Sequence, residues 1–225
     1  MLYEEAKWIG RELLKLSKPG YRILNIGSSS HEFRANSQPY INEFIFRPLT
    51  ENNITVVHTD IVDEKGVDIV GDLTDEIFIE KLKQEKYEVI ICSNLLEHMI
   101  NRDPIISAIK EILATNGFAL ITVPYKYPYH LDPIDTMFRP TINEIHKNFH
   151  EFELKKSEIV IGKSFRENKF QKNYWQQINQ NPKLILKLLL RCLVPFYKPK
   201  VWFYTIISMK NIFKPFSATC ILVKK

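Results

Sequence analysis

The chain has 225 residues, 45% of them hydrophobic, and a formal net charge of +5. That length and apolar content support one sizeable core in a single domain with additions. The positive excess gathers after residue 154, so it is a regional property and does not mark a nucleic-acid binder. Cys92, Cys192 and Cys220 are odd in number, far apart and without a CxxC spacing. This pattern predicts reduced thiols in a cytoplasmic protein and argues against a zinc or other metal site. The opening MLYEEAKWIGREL carries acids and no long apolar run, which is unlike a signal peptide.

Leu2 to Leu16 has apolar residues at Leu2, Ala6, Ile9, Leu13 and Leu16, the spacing of one helical face. Lys18, Pro19 and Gly20 end it. Arg22 to Ile26 then reads as a buried strand that breaks at Gly27 into a serine-rich turn, RILNIGSSS. Residues 31–38 read as a polar loop. Pro39 to Asn52 reads as a helix whose last turn Pro48 should distort. Ile54 to Thr59 is the second strand, ending on Asp60, and Val67 to Val70 a short third one leading into Gly71, Asp72 and Leu73. Asp75 to Gln84 is helical. Tyr87 to Cys92 is a β-branched fourth strand, with the chain turning into a helix from Asn94 onward. Pro104 to Ala114 is an amphipathic helix stopped by Asn116 and Gly117, and Phe118 to Val123 makes the fifth strand. Strands alternating with helices in this way predict βαβ units and a parallel sheet.

A strand that ends in a small-residue turn is where a doubly wound sheet accepts a nucleotide-like ligand, because backbone amides are open to the crevice there. Asp60, at the end of strand two, suits a carboxylate that accepts from both hydroxyls of a ribose bound at strand one. Asp72 follows strand three, within reach of an adenine edge, although Asp72 and Thr74 equally suit helix N-caps. Ser93 and Asn94 follow strand four, beside strand one. The GxGxxG spacing of dinucleotide-binding oxidoreductases is absent.

RILNIGSSS, HTDI, GDLTD and YEVIICSNLLEHM together resemble the successive motifs of the class I S-adenosylmethionine-dependent methyltransferases. CSNLLEHM, then NGFALITVP and a stretch rich in Tyr, Pro and His, is similar to the small-molecule and glycan-tailoring branch. The resemblance covers residues 20 to 160. It implies an α/β, Rossmann-like, doubly wound seven-stranded sheet whose last strand is antiparallel, with Glu153 to Ile161 and Ser217 to Lys224 as its final strands. It implies S-adenosyl-L-methionine as cofactor, held by Asn25, Gly27, Ser28, Ser29, Asp60, Ile61, Asp72, Leu73, Ser93, Asn94 and His98. Family members usually carry an acid where Asn25 stands and glycines where Ser29 and His31 stand. The serines still offer hydroxyl and amide donors.

The sulfonium cofactor brings an activated methyl group, so the protein must chiefly align the acceptor, a small-molecule or glycan hydroxyl or amine. An acceptor must also lose a proton. PYKYPYHLDPIDTMFRP, residues 124–140, lies past strand five at the methyl end in the family layout. His130 is the candidate base, with Asp135 the second catalytic candidate and Asp132 and Arg139 beside them. Asp135 and Arg139 are also spaced to pair with each other, and Glu97 and His98 are alternative bases. A non-catalytic domain that keeps the fold is the other reading the departures permit.

Residues 1–165 read as the cofactor-binding core, and 166–225 as a helical elaboration plus the final strand of the same domain. Within it, Lys183, Lys187 and Arg191 set a basic stripe on an apolar helix too short to span a bilayer. Segment 183–210 suits packing on the sheet, a homo-oligomer contact or a peripheral membrane contact.

Overall fold

A computed structural model describes residues 1–129, 134–164 and 214–225. The chain groups into two compact units, Met1–Val160 with Ser217–Lys225, and Ile161–Phe216, the second described only at its two ends. His130, Asp132 and the 183–210 segment lie outside the described residues.

The first helix, α1 (Tyr3–Leu16), buries Ala6, Trp8, Ile9 and Leu13, the face that the apolar spacing predicts. Strand β1 (Arg22–Ile26) is followed by β2 (Thr55–Asp60), β3 (Ile69–Val70), β4 (Tyr87–Ser93), β5 (Leu113–Lys126), β6 (Glu153–Ser164) and β7 (Pro215–Lys224). They form one seven-stranded sheet in the order β3-β2-β1-β4-β5-β7-β6. Strands β1 to β5 pair in parallel, and β7 runs antiparallel to β5. This is the Rossmann-like architecture expected.

The middle strands are apolar because both faces are covered: Ile23, Leu24, Val89, Ile90 and Leu120 are wholly buried. Each such side chain contributes about 1.5–3 kcal/mol relative to exposure. On one side, α4 (Glu76–Gln84) adds Phe78, Ile79 and Leu82, and α5 (Asp103–Ile112) adds Ile105, Ile106, Ile109 and Ile112 to the same cluster. Asp75 caps α4 by accepting from the Ile77 amide.

Register places the site. Ile26 is level with Thr59 on β2 and Cys92 on β4, and Ser93 is level with Thr122 on β5. Gly27, Asp60 and Ser93 therefore emerge side by side at the carboxyl edge. The chain order reverses between β1 and β4 there, which is the crevice where doubly wound sheets bind ligands.

Three expected elements differ. Residues 31–38 are helical rather than an open loop: His31 and Glu32 begin a turn that widens to π-helical spacing over Phe33–Ser37. Ser30 nucleates it, its hydroxyl accepting from the Phe33 amide at 3.2 Å and its carbonyl from the Arg34 amide at 3.1 Å. The next stretch keeps the predicted helical character in three pieces, α2 (Pro39–Ile41), a second π turn Asn42–Phe46 and α3 (Arg47–Glu51). Both wide turns close on the residue before a proline, with Gln38 bonded to Phe33 and Arg47 to Asn42. Pro39 and Pro48 have no amide to continue the narrower ladder, so the wider bond terminates each turn.

After β4 there is one 3-10 turn, Leu96–His98, in place of the helix expected from Asn94. Asn94 sits at φ 51 and donates its amide to the Thr122 carbonyl at 2.9 Å, which diverts it from a helical start. Finally, β5 begins at Leu113, so α5 ends earlier than the sequence pattern suggests. A short helix, α6 (Ile142–Lys147), closes a capping box between Thr141 and Glu144.

Candidate active site

A cavity of about 670 Å3 opens at the carboxyl edge of the sheet, wholly within the first unit. Its walls include Asn25, Gly27, Ser28, Ser29, Asp60, Ile61, Ser93, Asn94 and His98, so nine of the eleven expected cofactor residues meet in one place. The other two do not line it. Asp72 is exposed and accepts from the Thr74 amide and hydroxyl, both at 2.8 Å, in a local turn before α4. Leu73 is buried in the core beneath.

Gly27 has φ 61, the left-handed region that favours glycine, and a Cβ there would meet the methyl end of the Leu95 side chain at 2.8 Å. The loop behind it is organised by Asp60 and Arg34. Asp60 accepts from the Ser29 amide at 2.7 Å through one oxygen and from the Val62 amide at 3.2 Å through the other. Arg34, 5% exposed, donates to the carbonyls of Ser28 (2.9 Å), Ser29 and Gly66 (2.6 Å). Tying down those carbonyls turns the loop's amides the other way. Burial pushes the Arg34 guanidinium below its ordinary pKa, while Asp68 and Asp60 oppose that shift. Arg34 lies in the segment that reads as a loop, and no local pattern marks it as structural.

Asn25 does not present a charge where the family usually has an acid. Its side-chain amide lies 3.1 Å from His58 Nδ1, across the β1–β2 register. Burial, with the Arg34 charge adding, pushes His58 down to about 4, so the imidazole is neutral and its Nδ1 can accept from Asn25. Phe46 packs edge-on against the same ring at 4.7 Å.

The far end of the cavity is acidic. Glu5, from α1, accepts from the Asn94 side-chain amide at 2.7 Å, the Thr122 hydroxyl at 2.6 Å and the Leu2 backbone amide at 2.9 Å. Glu97 stands on the turn after β4, and its Oε2 has no hydrogen-bond partner among the described residues. Burial pushes Glu97 up to about 8, with the charge of Glu5 adding. His98 Nδ1 is 2.6 Å from the Ile134 carbonyl, which only accepts, so that nitrogen is the donor. Burial also raises the Tyr127 phenol, which shares this wall.

Asp135 does not line the cavity. It is buried and paired with Arg139 at 2.6 Å, and it accepts from the Met137 amide at 2.8 Å. Arg139 in turn donates to the Tyr127 carbonyl, and Thr136 donates its amide (2.9 Å) and hydroxyl (2.8 Å) to the Glu97 carbonyl. Arg102 bonds Thr136 at 2.6 Å and stacks on Phe138 at 4.0 Å. The segment after residue 133 is thus fastened to the turn that carries Glu97 and His98.

Among the described residues no helix is long and apolar enough to cross a membrane, and no group of three or more His, Cys, Asp or Glu is placed to hold a metal ion. None of the curated proteins matches the sequence. Solved structures do. A coclaurine N-methyltransferase bound to N-methylheliamine and SAH is 15% identical, with TM-score 0.58 over 98% of this chain and 70% of that one. A SAM-dependent methyltransferase from Archaeoglobus fulgidus is 14% identical, with TM-score 0.51 over 99% and 94%. The [4+2]-cyclase SpnF is 15% identical, with TM-score 0.56 over 99% and 80%. At these identities the likeness is one of fold, and the cyclase shows that the fold alone does not set the reaction. A family model described as "Methyltransferase domain" matches residues 3–214, nearly the whole chain. The chain therefore belongs to the class I S-adenosylmethionine-dependent methyltransferases.

Proposed function

We propose that this cavity binds S-adenosylmethionine across the Gly27–Ser29 turn and serves methyl transfer to a small-molecule or glycan hydroxyl or amine. The observation that carries the reading is the alignment of Gly27, Asp60 and Ser93 at the reversal of strand order, around a cavity of ligand size. The donor set fits: loop amides and the Ser28 and Ser29 hydroxyls suit a carboxylate, Asp60 suits ribose hydroxyls, and exposed Ile61 offers an apolar face to a base. When bound, the cofactor supplies a methyl group already activated by its sulfonium.

The remaining work falls to this chain. Asp60 would exchange its bonds to the Ser29 and Val62 amides for ribose hydroxyls, which frees those amides toward the ligand. The clasp formed by Arg102, Thr136 and Arg139 fixes the wall on which an acceptor would be aligned. His130 is the proposed base, and Asp135 supports it by holding Arg139 against the Tyr127 carbonyl. The 166–213 segment is proposed to be a helical elaboration of the same domain. No long apolar helix among the described residues argues for a membrane span, and a peripheral or oligomeric contact through 183–210 remains a proposal.

Calorimetric titration with S-adenosylhomocysteine tests the cofactor assignment. Binding is expected in the wild type, and Asp60→Ala should weaken it about tenfold to a hundredfold, as lost bonds to a charged group do. No binding by the wild type, or unaltered affinity in Asp60→Ala, would overturn it. His130→Ala should leave that affinity intact and lower turnover about a hundredfold or more once an acceptor is in hand.

A further inference from the structure

We propose that Glu5 and Glu97 form a subsite in this cavity for an alkylammonium group, carried by the methyl acceptor or by the cofactor's own amino-acid end. The proposal rests on the methyltransferase reading above, and adds to it the charge of what is bound. Both side chains line the cavity and each is 1% exposed.

Glu5 is held in place by three donors, the Leu2 amide ahead of α1, the Asn94 side chain just past β4 and the Thr122 hydroxyl on β5, which together engage both its oxygens. Glu97 is held differently. Its backbone carbonyl is clasped by Thr136, but its carboxyl is left unfinished. Oε1 stands 3.9 Å from His98 Nε2, beyond hydrogen-bond reach, and Oε2 has no partner among the described residues. A buried carboxyl oxygen without a donor, in a cavity wall, marks a place completed by a ligand's N–H or O–H.

The charges around the pair favour a cation over a neutral donor. Facing Glu97 are Glu5, the Met1 ammonium and Arg139, with His98 and Tyr127 on the same wall. Arg139 is already committed to Asp135 at 2.6 Å, which leaves the Met1 ammonium as the one remaining cation among the described residues facing two carboxyls, Glu5 and Glu97. Asn25, near the end of β1, carries no charge, and its amide nitrogen is spent on His58. With burial raising it to about 8, Glu97 holds a proton at neutral pH, and an arriving ammonium would displace that proton and donate to the freed Oε2. A hydroxyl could fill the same hydrogen bond but would not draw the proton off.

Carboxyl 13C NMR of glutamate-labelled protein tests this, with Glu97→Gln identifying the Glu97 signal. A pH titration is run on the free protein, with saturating S-adenosylhomocysteine, and with methylammonium chloride or methanol added to each at constant ionic strength. The titration midpoint of Glu97 should fall by about one pH unit or more when an ammonium occupies the subsite. A fall with S-adenosylhomocysteine alone assigns the cofactor's ammonium, and a fall only on adding methylammonium assigns the acceptor. No fall in either arm, or an equal fall with methanol, overturns the subsite. If S-adenosylhomocysteine fails to bind in calorimetry, the methyltransferase reading fails separately, and the methylammonium arm still decides the subsite. Glu97→Gln should melt like the wild type at pH 7, where it replaces a protonated acid by its neutral isostere.

Discussion

Two titratable side chains, Glu97 in the cavity wall and half-buried His58 beside Asn25, pull the stability of the free protein in opposite directions with pH. Glu97 rises from 4.5 to about 8 on folding, so between those values the folded chain binds more protons than the unfolded one, and stability falls as pH rises. His58 drops from 6.5 to about 4, so between those values the folded chain binds fewer protons, and stability rises with pH. From about pH 4.5 to 6.5 the two slopes offset. Above 6.5 only Glu97 is titrating, and unfolding free energy should decline by roughly 1.4 kcal/mol per pH unit toward pH 8. Urea unfolding at half-unit steps checks this. Glu97→Gln should remove the decline, and a wild-type curve flat from 6.5 to 8 would refute the placement of Glu97. At this scale the sequence was only partly legible. Gly27, Asp60 and Asn94 stand at strand ends, where alternation of elements announces them. Glu5 reads as one more acid on an exposed helical turn, because its partners Asn94 and Thr122 are 89 and 117 residues away. Asp72 is the converse case: local bonds from Thr74 satisfy it in a turn before α4, and the helix cap that Asp72 and Thr74 both suited falls instead to Asp75.

Among the elements, the cover of the cavity depends on how closely α1 approaches the turn Asn42–Phe46. Pro48 has no amide for the Phe44 carbonyl, and that carbonyl faces Gly10 of α1 so closely that a Cβ on Gly10 would overlap it. Lys7, Tyr3 and Phe44 extend the same contact, with the Tyr3 and Phe44 rings edge-to-face at 5.1 Å. Gly10→Ala should therefore push the helix off the turn and destabilise the fold by about 1–3 kcal/mol, although alanine is the better helix former. Thermal melting measures the loss, and a gain in stability would show that the approach is looser than described. Because Glu5 rides on α1, the same variant should also weaken S-adenosylhomocysteine binding. Element types from α1 to β5 followed from apolar periodicity, since that signal reports which face is buried. The turn 31–38 escaped it because its inward residue is Arg34, whose partners are loop carbonyls rather than apolar side chains.

For the molecule as a whole, the sheet is closed by its last strand. β7 lies between β5 and β6, and eight of its residues, Phe216 to Val223, are buried. It pairs antiparallel with β5 from Phe118 to Lys126, and Thr219 donates its hydroxyl to the Pro140 carbonyl at 2.6 Å, which anchors the segment leading into α6. Lys225 reaches back across α5 to the carbonyls of Lys110 and Leu113. β7 follows every other strand in the chain, so it cannot pair until all of them have been made, and the edges of β5 and β6 stay unpaired until then. Deleting residues 215–225 should therefore do more than trim an edge. It removes the partner of β5, exposes the apolar face of that strand to edge-to-edge pairing and leaves β6 without its neighbour in the sheet. The truncated chain should lose cooperative thermal unfolding and elute as aggregate in size-exclusion chromatography. A monomeric product that melts cooperatively and retains S-adenosylhomocysteine binding would show that β1 to β5 are stable alone. The cavity wall at Ser217 and Ala218 would be missing from such a product, so its affinity for the ligand also measures how much this last strand contributes to the site.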